Sequence, residues 1–378
     1  MSDHIASDHI ERATVTVIMP VRNEGAFMAR SLGAVLEQDY PAGLMQVLVA
    51  DGMSDDQTRE IIHELADAHP AHAVEIVDNP GGIVPTGFNA ALAKARGEVI
   101  VRVDGHTVIE KDYVAACVMA LEASGADSVG GGMDAEGQGR IGETIALATS
   151  SRFGVGDSQF HYAEGEHWVD TVYLGAWRRE VFARIGPFDP EMVRNQDDEF
   201  NYRLRAAGGR ILLSDRIRSR YYSRASLRKL FRQYRQYGFW KVRVLQKHPK
   251  QMSVRQFVPP AFAAAVIGGA VLAPKSRLVR RVWSATLGAY VFAALAASVS
   301  VARRHGWRHL PLLPVAFAAM HFGYGGGFLT GLVRFASRWG DRSGPASHGP
   351  VVPRPRTAGA DTVADKADGS PLSRREGG

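Results

Sequence analysis

In the stretch VIVRVDGHTVIE an apolar run ends on Asp104, and His106 follows two residues later. A carboxylate and an imidazole at that spacing can both turn towards one point beyond the end of a strand. Carboxylate oxygen suits Mg2+ and Mn2+, and the imidazole tilts the choice towards Mn2+ or a softer ion. With two protein ligands, the rest of the coordination shell would be water and phosphates of a substrate. A polar loop is the other reading of the same residues. What separates the two is whether other strands end nearby on similar chemistry.

Three further β-branched runs precede this one. TVTVIMP ends on Pro20, MQVLVAD on Asp51 and AVEIVDN on Asn79, while the run at Val99 ends on Asp104. Amphipathic helical patterns such as DDQTREIIHELADAH lie between them. Strands alternating with helices predict an α/β fold with a parallel, doubly wound sheet, and such sheets bind ligands beyond the carboxyl ends of their strands. After Pro20, Asn23 or Glu24 can begin a helix. Ser54 and Gln57 have the spacing of a capping box, which predicts a helix start there. Asp51 is not needed for that cap, so its carboxylate is available to a nucleobase N–H or to ribose hydroxyls. Gly81, Gly82 and Gly87 allow close approach of backbone to a ligand, ahead of a helix from about Asn89. No G-x-G-x-x-G precedes Asp51, so a nicotinamide or flavin site is unsupported.

The 378 residues suit one large domain or two, and the single cysteine, Cys117, excludes an intrachain disulfide and reads as core. MSDHIASDHIER lacks the apolar core of a signal peptide and reads as a disordered N-terminus over residues 1–12. The net charge of +6 is concentrated between Arg203 and Arg255. Residues 214–256, with LRKLFRQYRQYGFWKVRVLQKHPK at their centre, mix arginine and lysine with aromatics and read as helices at a membrane interface. Residues 257–340 hold three apolar runs, Ala261–Ala273, Trp283–Ala302 and Leu310–Val333, separated by basic clusters. Two or three transmembrane helices are expected there. The charge distribution favours two crossings, with the first run interfacial or re-entrant. Residues 341–378, rich in Gly, Pro, Ser, Asp and Arg, read as a disordered tail.

Taken in order, VTVIMPVRNEG, VLVADGMSDDQT, the glycine loop leading to GFNAA, GEVIVRVDGH, VYLGAWRREVFARIGPFDP and NQDDEFNYRLRAAG resemble the inverting nucleotide-sugar glycosyltransferases of family 2. The likeness covers roughly Val15 to Gly209. It implies a GT-A domain, a Rossmann-like nucleotide-diphospho-sugar transferase fold, over residues 13–213, followed by the helical membrane region. It also implies a nucleotide pocket lined by Pro20, Arg22, Asn23, Glu24 and Asp51. Asp104 and His106 stand where the family has D-x-D, the motif that holds a divalent metal (Mn2+ or Mg2+) on the donor diphosphate. Aligning the family's E-D-x-D-L-x-x-R on Arg203 puts Asp197 at the catalytic base, with Asp198 as the rival. The processive synthases' Q-x-x-R-W is absent, which points to transfer of one sugar to a lipid-linked or other glycan acceptor. A processive synthase or a non-catalytic nucleotide- or glycan-binding scaffold is the alternative. The expected setting is the inner membrane with the catalytic domain in the cytoplasm, in exopolysaccharide or cell-surface glycan biosynthesis. Its partners there would be a nucleotide sugar, the acceptor, the membrane and other polysaccharide-assembly proteins, with no nucleic acid.

Overall fold

A computed structural model describes residues 12–156, 165–222 and 226–342. The expected N-terminal tail, apart from Arg12, and the C-terminal tail beyond residue 342 lie outside the described residues. The first half alternates as the sequence predicts. Strands β1 (Val15–Val21), β2 (Met45–Asp51), β3 (Ala73–Asp78) and β4 (Val99–Arg102) are joined through helices α1 (Gly25–Leu36), α2 (Thr58–Ala68) and α3 (Val84–Leu92). The four strands are parallel, in the order β3-β2-β1-β4. β1 is buried along its whole length. Val17, Met19 and Val21 face Met28, Leu32 and Val35 of α1 on one side, while Ile18 faces Phe88 of α3 on the other. That alternation is the period of two that a strand covered on both faces requires.

The remaining strands depart from the parallel expectation. In chain order there follow β5 (Thr107–Ile109), α4 (Tyr113–Ser124), β6 (Ser128–Glu136), α5 (Gly139–Thr149), α6 (Arg152–Val155), β7 (Glu166–Val169), β8 (Tyr173–Arg178), α7 (Glu180–Ile185), α8 (Gln196–Ala206) and β9 (Ile211–Tyr222). The sheet continues from β4 as β8-β6-β9-β5, with β7 also on β9, and of these pairings only β6–β9 is parallel. β9 also carries the sheet nine residues past the expected boundary at residue 213. Arg216 and Arg218 point outward while Ile217 and Ser219 are buried, so what reads as a basic band is a strand with one wet face. Cys117 is buried in the core beneath α4, where burial pushes its thiol pKa up.

Among the described residues four further α-helices follow: α9 (Leu227–Lys247), α10 (Val258–Leu272), α11 (Arg277–His305) and α12 (Leu313–Arg334). A Cβ on Gly323, Gly327 or Gly331 of α12 would lie 2.9, 2.0 or 2.6 Å from the carbonyl oxygen of Phe231, Arg235 or Phe239 of α9. Equal steps of four on both helices mean that they run parallel, backbone against backbone, as small-residue ridges permit. The third apolar run is therefore covered. The exposed runs are the first and second, because only 17% of the apolar window is buried in each of Val254–Lys275 and Arg277–His305. The first run, expected to be interfacial or re-entrant, is thus as exposed as the second. Glycine counts as mildly apolar in the sequence, but here it serves helix contact.

α9 is also not uniformly interfacial. Its first half exposes Arg228, Lys229, Arg232 and Arg235. In its second half the cations turn inward. Lys241 binds Asp198, buried Arg243 binds Glu191 through two nitrogens (2.8 and 3.0 Å), and Lys247 binds Asp189 and Glu191. Burial alone would raise the Glu191 pKa, but hydrogen bonds from Arg243 and Lys247 outweigh it and hold the group at about 2. A depressed folded-state pKa contributes stability above the unfolded value of 4.5, which is lost as pH falls towards the folded value. Unfolding of the detergent-solubilised protein, followed by tryptophan fluorescence, should show Glu191→Gln less stable by about 2–3 kcal/mol at pH 7. The gap between variant and wild type should close between about pH 4.5 and pH 2.

Candidate active site

The register of the parallel strands brings the predicted residues to one edge. Val21 pairs with Asp51, Asp51 with Asp78, and Ile18 with Arg102, so Asp104 emerges two residues beyond the end of β4 on the side where β1 and β2 finish. Pro20 is buried inside β1 opposite Ala50 rather than ending the strand. Asp51 is wholly covered. Its carboxylate accepts from the Ser54 backbone N–H (3.1 Å), the Ser54 hydroxyl and Arg59 Nε (2.6 Å). That use of Ser54 replaces the expected capping box. α2 begins at Thr58, whose N–H donates to Asp56 (3.0 Å). The helix expected at about Asn89 begins at Val84 with Pro85 in its first turn, and Asn79 holds the intervening loop by donating to the Ile83 carbonyl and accepting from Thr86.

The turn after β1 is held across to the turn after β2. Asn23, at φ 54°, donates its N–H to Ser54 (2.8 Å) and accepts from the Asp55 N–H (3.1 Å). Glu24 donates its N–H to Thr58 (2.9 Å), and Arg22 reaches the Gly82 carbonyl at 3.3 Å. The Glu24 carboxylate lies 2.9 Å from His106 Nδ1. That contact needs Gly105 between the two turns, because a Cβ there would lie 2.9 Å from both Val21 Cγ1 and Glu24 Cγ. Arg22, Asn23, Glu24, Asp51 and the Asp104–His106 turn thus share one rim.

Across from this rim stands the amino end of α8. Its position is set by aromatic packing: Phe200 meets Phe188, Phe182 and Trp177 at ring-centroid distances of 4.9, 5.2 and 5.7 Å. Asn89 ties α3 to the loop before α8 by two hydrogen bonds to Phe188 (2.7 and 3.0 Å). Asp197, Asp198 and Glu199 open the helix, where its dipole favours negative charge. Each goes to its own partners. Glu199, almost fully buried, takes Arg203 through two nitrogens (2.7 and 2.9 Å) and His248 (3.0 Å). Asp198 takes Lys241. Asp197 takes Arg102 Nη1, while the same guanidinium gives Nε (2.8 Å) and Nη2 (3.1 Å) to Asp104.

Arg102 is the residue that sequence reasoning missed. Its side chain is 5% exposed at the end of β4, and the available signal was an arginine inside the otherwise apolar VIVRV. Desolvation raises the pKa of Asp197, Arg102 opposes that rise, and the nearby charges of Asp104 and Asp198 add to it. The net shift is upward even though 45% of the side chain remains open to the cleft. A carboxylate at the rim, with a raised pKa and part of its surface open to the cleft beside its Arg102 contact, has the character of a proton acceptor.

A divalent cation fits the donor set in chemistry. Asp104 offers hard oxygens and His106 has its second ring nitrogen besides the one on Glu24, with Arg102 as the cation that a metal would meet on the Asp104 carboxylate. Among the described residues no three carboxylate, imidazole or thiol groups converge into a closed site. Any cation there would complete its shell from outside the protein.

The architecture and the position of this cleft define a nucleotide-sugar-transferase type of fold, and the comparisons agree. Residues 16–186 match the family described as "Glycosyl transferase family 2". The chain belongs to glycosyltransferase family 2. It is 32% identical over 341 residues, 88% of this chain and 99% of the other, to the succinoglycan biosynthesis protein ExoA of Rhizobium meliloti (strain 1021). A second relative, from Methanococcus voltae, is named as a dolichyl N-acetyl-alpha-D-glucosaminyl phosphate 3-beta-D-2,3-diacetamido-2,3-dideoxy-beta-D-glucuronosyltransferase. It is 26% identical, over 62% of this chain and 74% of its own length. Among solved structures, the mannosyltransferase PcManGT from Pyrobaculum calidifontis, in complex with GDP-Man and Mn2+, shares the fold at a TM-score of 0.53 and 19% identity, covering 82% of this chain and 88% of that one.

Replacing Gly105 by alanine tests the tight join between the two turns. The Cβ contacts at 2.9 Å should cost about 1–3 kcal/mol, read as a lower urea midpoint, with no comparable loss for Gly33→Ala, where a Cβ meets nothing within 4 Å.

Proposed function

We propose that this glycosyltransferase is membrane-associated, metal-dependent and inverting. It moves one sugar from a nucleotide-diphospho-sugar to a lipid-linked or other glycan acceptor in exopolysaccharide or cell-surface glycan biosynthesis. The observation that carries the reading is the meeting of Asp104 and Asp197 on one buried guanidinium, while Asp198 and Glu199 are occupied elsewhere. Inversion at an anomeric carbon needs a base on the acceptor side and a stabilised leaving group on the other. Asp197 is the base and takes the proton of the acceptor hydroxyl. Asp198 is the poorer candidate because Lys241, itself buried, already claims its carboxylate. Arg22, Asn23 and Glu24 border the nucleotide, while Pro20 in β1 and Asp51, whose covered carboxylate is spent on Ser54 and Arg59 rather than left available, lie behind them. Asp104 and His106 would hold the divalent cation, which when bound supplies charge neutralisation at the donor diphosphate. The ExoA likeness supports the pathway class, and the M. voltae relative, named for a dolichyl substrate, supports a lipid-linked acceptor.

The membrane reading rests on α10 and α11. With its flanking turns the first spans 22 residues and the second 29, or about 33 and 43 Å of helix, enough for a hydrocarbon core of about 30 Å. Two crossings return the chain to the side it left. The packing of α12 on α9 supports this count, because α9 is locked to the catalytic domain through Lys241, Arg243 and Lys247. Placing that domain in the cytoplasm, at the inner membrane, puts it where nucleotide sugars are made.

Nucleoside diphosphate release from UDP-glucose, UDP-galactose, UDP-N-acetylglucosamine and GDP-mannose, with a membrane lipid extract as acceptor and Mn2+ or Mg2+ present, tests the catalytic assignment. Asp197→Asn should lose about a thousandfold or more in turnover while still binding donor, and Asp198→Asn should lose less. An active Asp197→Asn enzyme rejects the base. The membrane reading is checked separately by carbonate washing of membranes. Wild type should stay in the pellet, whereas a variant with Ile267, Leu278 and Phe292 all changed to Asp should appear in the supernatant. These three side chains are 58%, 71% and 75% exposed.

A further inference from the structure

We infer that Arg102 is a positioning residue for Asp197 and, at the same time, a built-in counter-cation that competes with the metal for Asp104. The inference rests on the reading of Asp104 as a cation site. Its grounds are the geometry of one guanidinium. The arginine is the last residue of β4, a strand that is otherwise apolar, and 95% of its side chain is hidden from water. A charge so placed is stable only with opposite charge against it. Three of its nitrogens are used, two on Asp104 and the third on Asp197. The division of labour matters, because contact with one carboxylate does not use the nitrogen that holds the other.

Two consequences follow from charge alone. A divalent cation arriving at Asp104 meets a fixed positive group within bonding distance of the same carboxylate, in a cleft where screening is weaker than in bulk water. Arg102 therefore weakens metal binding in the absence of donor, and the donor's own diphosphate supplies the negative charge that makes the pairing favourable. Asp197, meanwhile, is held towards the rim by a planar fork that a lysine cannot reproduce, since a single ammonium offers one point of charge to two separated carboxylates. Arg102 touches neither donor nor acceptor in this scheme. It acts through the two carboxylates.

The test uses the full chain in detergent. Mn2+ alone is titrated, and free Mn2+ is read by electron paramagnetic resonance. Arg102→Met should bind Mn2+ about tenfold or more tightly than wild type, and adding Asp104→Asn to either protein should abolish that binding. Arg102→Lys keeps the charge, so its Mn2+ affinity should stay within about threefold of wild type. Its kcat for nucleoside diphosphate release should nevertheless fall about tenfold or more, with the KM for nucleotide sugar nearly unchanged. Should Arg102→Met fail to fold, as judged by its thermal transition, Arg102→Gln carries the binding arm. Equal Mn2+ affinity with and without the Arg102 charge overturns the competition, and a wild-type kcat in Arg102→Lys overturns the positioning role. Wild-type Mn2+ binding that survives Asp104→Asn instead removes Asp104 as the cation site, and the inference falls with it.

Discussion

A guanidinium that enters the interior of a sheet must find negative charge or be driven out, and Arg102 finds it on two carboxylates that arrive from different parts of the chain. Asp104 comes from the same strand end. Asp197 comes from a helix nearly a hundred residues later. The ionic contact therefore joins the half of the domain built on the parallel strands to the half that carries the proposed base. Much of the surrounding architecture serves to make that meeting exact to within a hydrogen bond. The Phe88, Trp177, Phe182, Phe188 and Phe200 cluster seats α8, and Asn89 fixes the loop that precedes it. Lys241 draws Asp198 away, so one carboxylate of the acidic run is left at the cleft.

The first four strands were legible because short β-branched runs ending on polar residues carry the period and the punctuation of a parallel sheet. The rim residues 22–24, 51 and 104–106 were legible as a group for the same reason: strands in register end together. The far half of the sheet was not. β7 and β8 are separated by three residues, too few for a crossover helix, and antiparallel insertion leaves no mark comparable to the β-α-β alternation. β9 was misread because R-I-R-S-R satisfies two descriptions, a basic surface band and a strand with one wet face, and only its pairing with β6 decides between them. Arg102 was hidden by its own context, since an arginine among valines gives no hint of what neutralises it until distant segments are placed.

The C-terminal helices show a second limit. Composition identified three apolar runs but not which of them would be covered. The glycines of α12, which make that run look weakly helical, are what allow its backbone to lie against α9, and the more strongly apolar α10 and α11 are left with open faces. Hydropathy ranks segments by affinity for oil, whereas helix pairing depends on how closely two backbones approach.

That approach has a mechanical meaning. Where helices are separated by long side chains, rotamer changes absorb small displacements. Along the α9–α12 seam glycine faces carbonyl oxygen at three successive turns, and there is no compliant layer to absorb anything. Close backbone contact of this kind favours movement of the two helices together. Past this seam Lys241 of α9 is fastened to Asp198, the next residue after Asp197, so the most direct mechanical link from α12 leads to the helix that carries the proposed base.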